Sequence, residues 1–320
     1  MSQHSEREPV AVFAPISIGN VSVGFDILGL ALHPVDGQPL GDIVRIKPST
    51  SDELHCGGLF LSSLPTKKEE NIVWQCLLEF NQQYLAKGGV IENIHMTLEK
   101  NIPVCSGLGS SACSVVAGLA ALNEYYGKPF SDSEILKSMG KLEAKISGSL
   151  HYDNVAPCFL GGLQLMLEDQ ERITQAIPTF DDCYWVIAYP DIEVSTRLAR
   201  EILPESYSRK DLVTFGQRIA GFIDASYRKD KQQAFSLLED VVAEPYRTTL
   251  LENFELTKDK LLQAGSLSVG ISGSGPTVFA VCDKLETAEQ AKIIFDTHYI
   301  QSEVGFSSIC LVDNQGTRTI

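Results

Sequence analysis

At 320 residues, with 44% hydrophobic and 21% charged side chains, the chain has an ordinary globular composition and the length of about two domains. Asp and Glu number 41 against 26 Lys and Arg, a net charge of −15, and no basic run is dense enough for a nucleic-acid face, so the balance disfavours DNA and RNA partners and none is expected. No apolar stretch approaches the ~18 residues of a membrane span and the N-terminus lacks a signal-like apolar run, so the expected location is the cytoplasm, with no membrane partner.

In chain order, the pattern predicts a strand at Val10–Phe13, a loop over Ala14–Asp26, extended chain to about Lys47 and a helix near Ile72–Leu85. A strand over 94–99, with Ile94, Met96 and Leu98 alternating, leads into a glycine-rich loop and a helix over 110–126 that ends at Gly127-Lys128-Pro129. Ser131-Asp132-Ser133-Glu134 is a capping box for a helix over 132–146. Around Gly161-Gly162 the chain turns into Leu163–Leu167 and the pattern changes. Beyond it come strand 184–189, helices near 195–203, 211–227, 231–242 and 246–263, strands 267–271 and 277–282, helix 285–297 and strand 306–312. Without the extra helices this reads β-α-β-β-α-β, the split arrangement of ferredoxin-like domains. The expectation is an α+β protein of two domains, 1–165 and 166–320, with a ligand cleft between them.

The run P-V-C-S-G-L-G-S-S-A-C-S-V-V-A-G, from Pro103 to Gly118, carries the strongest chemical signal. A glycine-rich turn feeding a helix offers unpaired backbone N–H groups and the positive end of the helix dipole, which together bind anions and above all phosphates. No Lys follows Gly109, which excludes the G-x-x-x-x-G-K-[S/T] loop. Gly107, Gly109 and Ala112 satisfy a loose G-x-G-x-x-A, but Lys100-Asn101-Ile102-Pro103 separates strand from loop and the downstream acids belong to the capping box, so a dinucleotide fold is disfavoured. Eight cysteines, none in C-x-x-C and most in apolar runs, read as buried thiols in a reducing compartment. Cys105 and Cys113 flank the loop, but without a His partner neither is read as a nucleophile.

On the helix after the capping box, Ile135, Leu136, Met139, Leu142 and Ile146 form one stripe, and Glu143 falls inside it, opposite Lys137, Lys141 and Lys145. A carboxylate on the buried side needs a cation: a Lys at the stripe edge, or Mg²⁺ beside a phosphate loop. The loop favours the metal.

Three segments in order, P-I-S-I-G-N-V-S-V-G-F-D (15–26), P-V-C-S-G-L-G-S-S-A (103–112) and S-V-G-I-S-G-S-G-P-T (268–277), resemble the motifs of the GHMP kinases, a family named for galacto-, homoserine, mevalonate and phosphomevalonate kinases. The segments S-G-S-L-H-Y-D-N-V-A-P-C-F-L-G-G (147–162), S-T-R-L-A-R-E-I-L-P (195–204) and A-E-P-Y-R (243–247) are similar to the bacterial homoserine-phosphorylating branch of that family. The resemblance runs from about Val10 to Asp313. It implies a ribosomal-protein-S5-domain-2-like N-terminal domain, a ferredoxin-like C-terminal domain, and ATP- and Mg²⁺-dependent phosphorylation of L-homoserine to O-phospho-L-homoserine on the way to threonine.

The same resemblance implies residue roles. Pro103, Val104, Cys105, Ser106, Gly107, Leu108, Gly109, Ser110, Ser111, Ala112 and Cys113 would wrap the ATP phosphates, with Asn71 helping to hold the adenine. Ser111 and Glu143 would ligate Mg²⁺, and Lys100 would contact the nucleotide. Asn20, Asp26, His151 and Asp153 would hold the amino acid, Arg200 and Arg247 would clamp its carboxylate, and Thr277 would line the cleft from the second domain. Plainer readings stand beside these: Asn20 and Asp26 as turn formers, His151 as a structural imidazole, Arg200 as a dipole partner at a helix C-terminus and Arg247 as a surface residue. Two arginines nonetheless suit bidentate recognition of a carboxylate, and Asp26 has the sign for an ammonium. Where relatives place an Asp near the reacting hydroxyl, the matching residue is Asn154, so the expected mechanism has no side-chain base and the γ-phosphate or water takes the proton. A homodimer is compatible with the sequence.

Overall fold

The computed structural model describes residues 7–167, 169 and 171–320. Its first strand is longer than the pattern predicts: β1 (Val10–Gly19) runs through the expected loop. It does so by changing partners. Val10–Pro15 pair with β3 (Gly41–Pro48), and Ile16–Gly19 pair with β2 (Leu28–Pro34). Pro15, which has no N–H to give to a ladder, sits at the changeover and so does not end the strand. The extended region to Lys47 is thus two strands, and the true loop is short, from Asn20 to Ile27.

A five-residue strand not expected from the pattern, β4 (Glu53–Gly57), precedes α1 (Ile72–Ala86) and pairs in parallel with β5 (Ile94–Glu99). The glycine loop then opens α2 (Ser110–Tyr125), followed by α3 (Asp132–Ser147), whose Ser131/Glu134 capping box is formed. α2 packs on β1 and β3 and against α1, α3 and the unpredicted short helix α4 (Val155–Leu160). α2 is apolar all round because it is buried all round.

After β6 (Leu163–Met166) and β7 (Thr174–Ile177) come β8 (Tyr184–Tyr189), α5 (Thr196–Glu201), α6 (Arg209–Arg228) and α7 (Lys231–Ser236). The helix expected over 246–263 is two, α8 (Glu244–Arg247) and α9 (Phe254–Gln263), parted by Asn253 in the left-handed conformation (φ 60°). α7 likewise stops at Ser236, short of the expected 242. β9 (Ser268–Ile271), β10 (Val278–Cys282), α10 (Leu285–His298), β11 (Phe306–Val312) and β12 (Arg318–Thr319) complete the chain. The strands lie in the order β4-β5-β3-β1-β2-β11-β8-β10-β9. Within it β11-β8-β10-β9 is the fourth-first-third-second order of an antiparallel split β-α-β-β-α-β unit, with α9 and α10 packed on it. The α+β architecture expected from the sequence is the one observed. Among the described residues no helix is long and apolar enough to cross a membrane.

Candidate active site

The fold brings the three glycine-bearing segments to one cleft of about 410 Å³, lined from both halves of the chain. At its centre lies the start of α2. Gly109 adopts a left-handed conformation (φ 65°) and no side chain caps the helix, so its first amides face the cleft without an intrahelical acceptor. A Cβ on Gly109 would sit 2.3 Å from Ser17 Oγ, and one on Gly107 2.7 Å from the Ser272 carbonyl. Both positions therefore demand glycine for space as well as for backbone angle. The late motif holds this loop from behind: Ser272 Oγ donates to the Gly107 carbonyl at 2.6 Å, and the Thr277 N–H to the Ser106 carbonyl at 3.1 Å.

Not every residue of the loop faces the cleft. Val104, Cys105, Ser106, Gly107, Gly109, Ser110 and Ser111 line it. Pro103, Leu108, Ala112 and Cys113 are buried and turn into the core, Cys113 Sγ reaching the Pro15 carbonyl at 3.2 Å. Thr277 is also corrected: it is fully buried behind the loop, and Gly273 and Ser274 line the cleft in its place.

Ser111 Oγ donates to Glu143 Oε1 at 2.6 Å, joining the first turn of α2 to α3. Burial pushes the Glu143 carboxyl above its ordinary pKa, while the Ser111 bond and the Lys100 charge pull the other way. The four earlier stripe residues are buried as expected, but Ile146 is exposed and lines the cleft mouth. Lys141 and Lys145 pair with Glu79, at 2.6 and 3.7 Å. A hydroxyl and a carboxylate beside open helix amides are hard oxygen donors of the kind Mg²⁺ takes, so the residues present fit that ion.

Lys100 is placed differently from the expectation. Its ammonium is buried and donates to Asp42 Oδ2 at 2.6 Å, the Ser110 carbonyl at 2.8 Å and Ser114 Oγ at 3.1 Å. Those bonds use all three of its donors. Lys100 thus anchors the loop to β3 rather than presenting a free cation. Removing one member of such a buried pair costs about 3–5 kcal/mol, so Lys100→Met should lower the thermal midpoint by many degrees, which calorimetry of the ligand-free protein would read. An unchanged midpoint with weakened ATP binding would restore the nucleotide-contact role. Asn71 is similarly committed: its Oδ1 caps α1 by accepting from the Val73 N–H at 2.9 Å, and its amide donates to Cys56 Sγ. It borders the cleft together with Ser63, Leu64, Pro65 and Ile72.

The substrate candidates converge. Arg200 forms a two-pronged pair with Asp26, NH1 to Oδ2 at 3.0 Å and NH2 to Oδ1 at 2.7 Å, while its buried Nε meets no acceptor among the described residues. His151 Nδ1 lies 3.6 Å from Asp26 Oδ1, and burial lowers its imidazole pKa. Asn20 holds this corner together, its Oδ1 accepting from the Asp26 N–H at 2.9 Å and its amide donating to the Gly273 carbonyl at 3.2 Å. Asn20, Val21 and Ser22 are all left-handed, an unusual run with a β-branched residue in the middle. Arg247 is buried rather than on the surface; it donates to the Ala199 and Gly273 carbonyls, and burial lowers its guanidinium pKa. Phe25, which sequence reasoning missed, has both guanidinium groups over its ring, Arg200 at 5.6 Å and Arg247 at 5.4 Å from the centroid. An aromatic directly before Asp26 was the available signal.

Asp153 and Asn154 stand between this corner and the glycine loop. Asn154 Oδ1 accepts from Ser17 Oγ at 3.1 Å and its amide faces Asp153 Oδ2 at 3.4 Å. Burial, and then the Asp26 charge, push the Asp153 carboxyl up to about 7.

An open helix terminus, hard oxygen donors beside it and a polar pocket a few residues away, spanning two α+β halves, are the build of a nucleotide-dependent phosphotransferase. Residues 71–162 match the profile of the GHMP kinase N-terminal domain and residues 222–301 that of the GHMP kinase C-terminal domain. The crystal structure of homoserine kinase from Cytophaga hutchinsonii is 31% identical with a TM-score of 0.86, and each chain covers 100% of the other. The chain belongs to the GHMP kinase family, phosphotransferases that take ATP as donor. Two further structures share the fold: L. major mevalonate kinase in complex with R-mevalonate, at 13% identity and TM-score 0.68, covering 98% of this chain and 100% of that one, and Streptococcus pneumoniae phosphomevalonate kinase, at 12% identity and TM-score 0.68, covering 91% and 96%.

Proposed function

We propose that the protein phosphorylates the side-chain hydroxyl of L-homoserine, giving O-phospho-L-homoserine and ADP in the route to threonine, in the cytoplasm. The observation that carries this reading is the Asp26–Arg200 pair with Arg247 beside it. A zwitterionic amino acid can exchange into that pair without leaving a charge unmet. Its carboxylate replaces Asp26 on Arg200 and reaches Arg247, and its ammonium replaces Arg200 on Asp26. An acid without an ammonium, such as mevalonate, would strip Asp26 of its partner and offer nothing back; a neutral sugar would have to leave the pair intact. The full-length likeness to a homoserine kinase supports the same substrate.

In this reading the open amides of α2 hold the β- and γ-phosphates, and Ser111 and Glu143 hold Mg²⁺, which when bound neutralises phosphate charge. The corner built by Asn20, Asp26, His151 and the two arginines fixes the amino-acid head, and Asp153 and Asn154 face the hydroxyl. Placement and charge neutralisation then account for most of the catalysis.

An ADP-release assay across homoserine, mevalonate, galactose and shikimate tests the substrate. Turnover of homoserine alone is expected; a preference for any other acceptor overturns the reading. Arg200→Lys should raise the KM for homoserine about ten- to a hundredfold, because Lys keeps the charge but loses the planar fork and a charge-assisted pair is worth about 1.5–3 kcal/mol. A rise in the KM for ATP instead would put Arg200 on the other ligand.

A further inference from the structure

We propose that His55 and His95, on the outer face of the sheet at its β4 edge, are the ligands of a transition-metal site of the zinc class, with Glu53 orienting one of them. This site is separate from the cleft and independent of the reading of the substrate. The geometry starts from β4 and β5, whose parallel register sets Glu53 opposite His95 and His55 opposite Thr97. His95 Nδ1 lies 3.2 Å from Glu53 Oε2, and the other carboxylate oxygen accepts from Ser51 Oγ at 2.9 Å. A carboxylate can only accept there, so the Nδ1 of His95 carries the proton and its Nε2 presents a lone pair. That lone pair faces His55 Nδ1 at 3.2 Å, with the rings edge to face.

Two imidazole nitrogens bound to one tetrahedral ion at about 2.0–2.1 Å stand about 3.3–3.4 Å apart. The pair is therefore already at ligand spacing, and the ligand atoms of all three side chains lie within 4.8 Å of one another. The carboxylate–imidazole–metal arrangement is the usual way a ligating His is held, its second nitrogen donating to an acid. Imidazole suits Zn²⁺, Cu²⁺ and Ni²⁺ and does not suit Mg²⁺, so the ion in the cleft and the ion here do not compete. Lys47 of β3 is opposite His95 in register and supplies the opposing charge nearby, so a site of modest affinity is expected. Bound metal would staple β4, a five-residue edge strand, to β5. Past Gly57 the chain runs on to Ser63, Leu64 and Pro65, which line the cleft.

The test uses untagged, EDTA-treated protein titrated with Zn²⁺ alone, followed by calorimetry, with imidazole nitrogen shifts read by NMR. One equivalent is expected to bind and to raise the thermal midpoint by several degrees. His55→Gln and His95→Gln should each weaken binding at least tenfold, and Glu53→Gln by about 10–100-fold. All three positions carry side chains on the outer face, and kinase turnover with Mg²⁺ should stay near normal, which separates this proposal from the substrate reading. Absence of saturable binding overturns it, and so does binding that survives in the His55→Gln/His95→Gln double variant. NMR showing His55 donating its Nδ1 proton to His95 with no change on adding Zn²⁺ would reduce the pair to an ordinary hydrogen bond.

Discussion

Glu143→Gln should lower kcat by about 10²–10³-fold, the usual effect of losing one electrostatic stabiliser of a transition state, while leaving the fold intact. The substitution conserves volume, and Ser111 Oγ can still donate to the amide oxygen, so the 2.6 Å link between α2 and α3 has a replacement. It also removes a carboxyl that burial already disfavours in its charged form, so the thermal midpoint near neutral pH should hold or rise. What Gln cannot do is bring a negative charge to a cation beside the phosphates. The loss should therefore be shallower at high Mg²⁺ and steep at low Mg²⁺, and ATP binding measured without the metal should change little. Near-normal turnover at low Mg²⁺ would remove Glu143 from the metal.

How much of this was legible in the chain depends on the range over which each feature is decided. Capping boxes at Ser131 and Ser208, the open start of α2 and the left-handed glycines of the loop are set by neighbouring residues, and the loop and the first box were read directly. The fourth-first-third-second strand order follows from an alternation of strand and helix patterns that survives insertion of extra helices. The partner change in β1 does not: only the register against two different strands shows why Pro15 is tolerated. β4 was invisible for a similar reason, since Glu53-Leu54-His55-Cys56-Gly57 has little strand character and is held by pairing with β5.

The site divides along the same line. Glu143 could be found because a carboxylate inside an apolar helical stripe is a local anomaly, and its partner Ser111 is the expected one. Lys100 carried the same kind of signal, a charge beside a phosphate loop, yet its counter-ion Asp42 is 58 residues away on another strand. No spacing rule predicts that a distant acid will pair with it while the Ser110 carbonyl and Ser114 Oγ take its other two donors. Arg247 is the reverse case: α8 looked like the start of a longer surface helix, yet its guanidinium is buried on the Ala199 and Gly273 carbonyls, partners 48 and 26 residues away.

Asp153→Asn should split stability from activity, and pH separates the two. The carboxyl is pushed up to about 7 from an ordinary 3.8 by burial and by the Asp26 charge, against Arg200. A raised folded pKa means that this group favours the folded state at acid pH, where it is neutral, and that the contribution is lost as pH rises through about 7. At about 1.4 kcal/mol per unit the penalty for holding the charge at pH 8 is on the order of a few kcal/mol. Asn carries no charge, so the variant's thermal midpoint should exceed the parent's by several degrees at pH 8, by about half as much near pH 5.5, and match it only below the ordinary 3.8 of the unfolded carboxyl. Turnover should move oppositely. The base-free expectation rests on Asn154, which cannot take a proton; Asp153, next to it and facing the same gap between the amino-acid corner and the loop, can, and the outcome expected here is the opposite one, that it does. It is an ionised acceptor only above about 7, so parent kcat/KM should fall about tenfold per unit below that value. In Asp153→Asn the fall should vanish along with about 10²–10⁴ of the rate, the usual worth of general-base help. The charges around the group, Asp26, Arg200, His151, Arg247 and Glu143, stay in place in the variant, so the lost limb belongs to Asp153. If single-turnover phosphoryl transfer by Asp153→Asn keeps both its rate and the acid limb, the proton goes to the γ-phosphate or water and the mechanism is base-free.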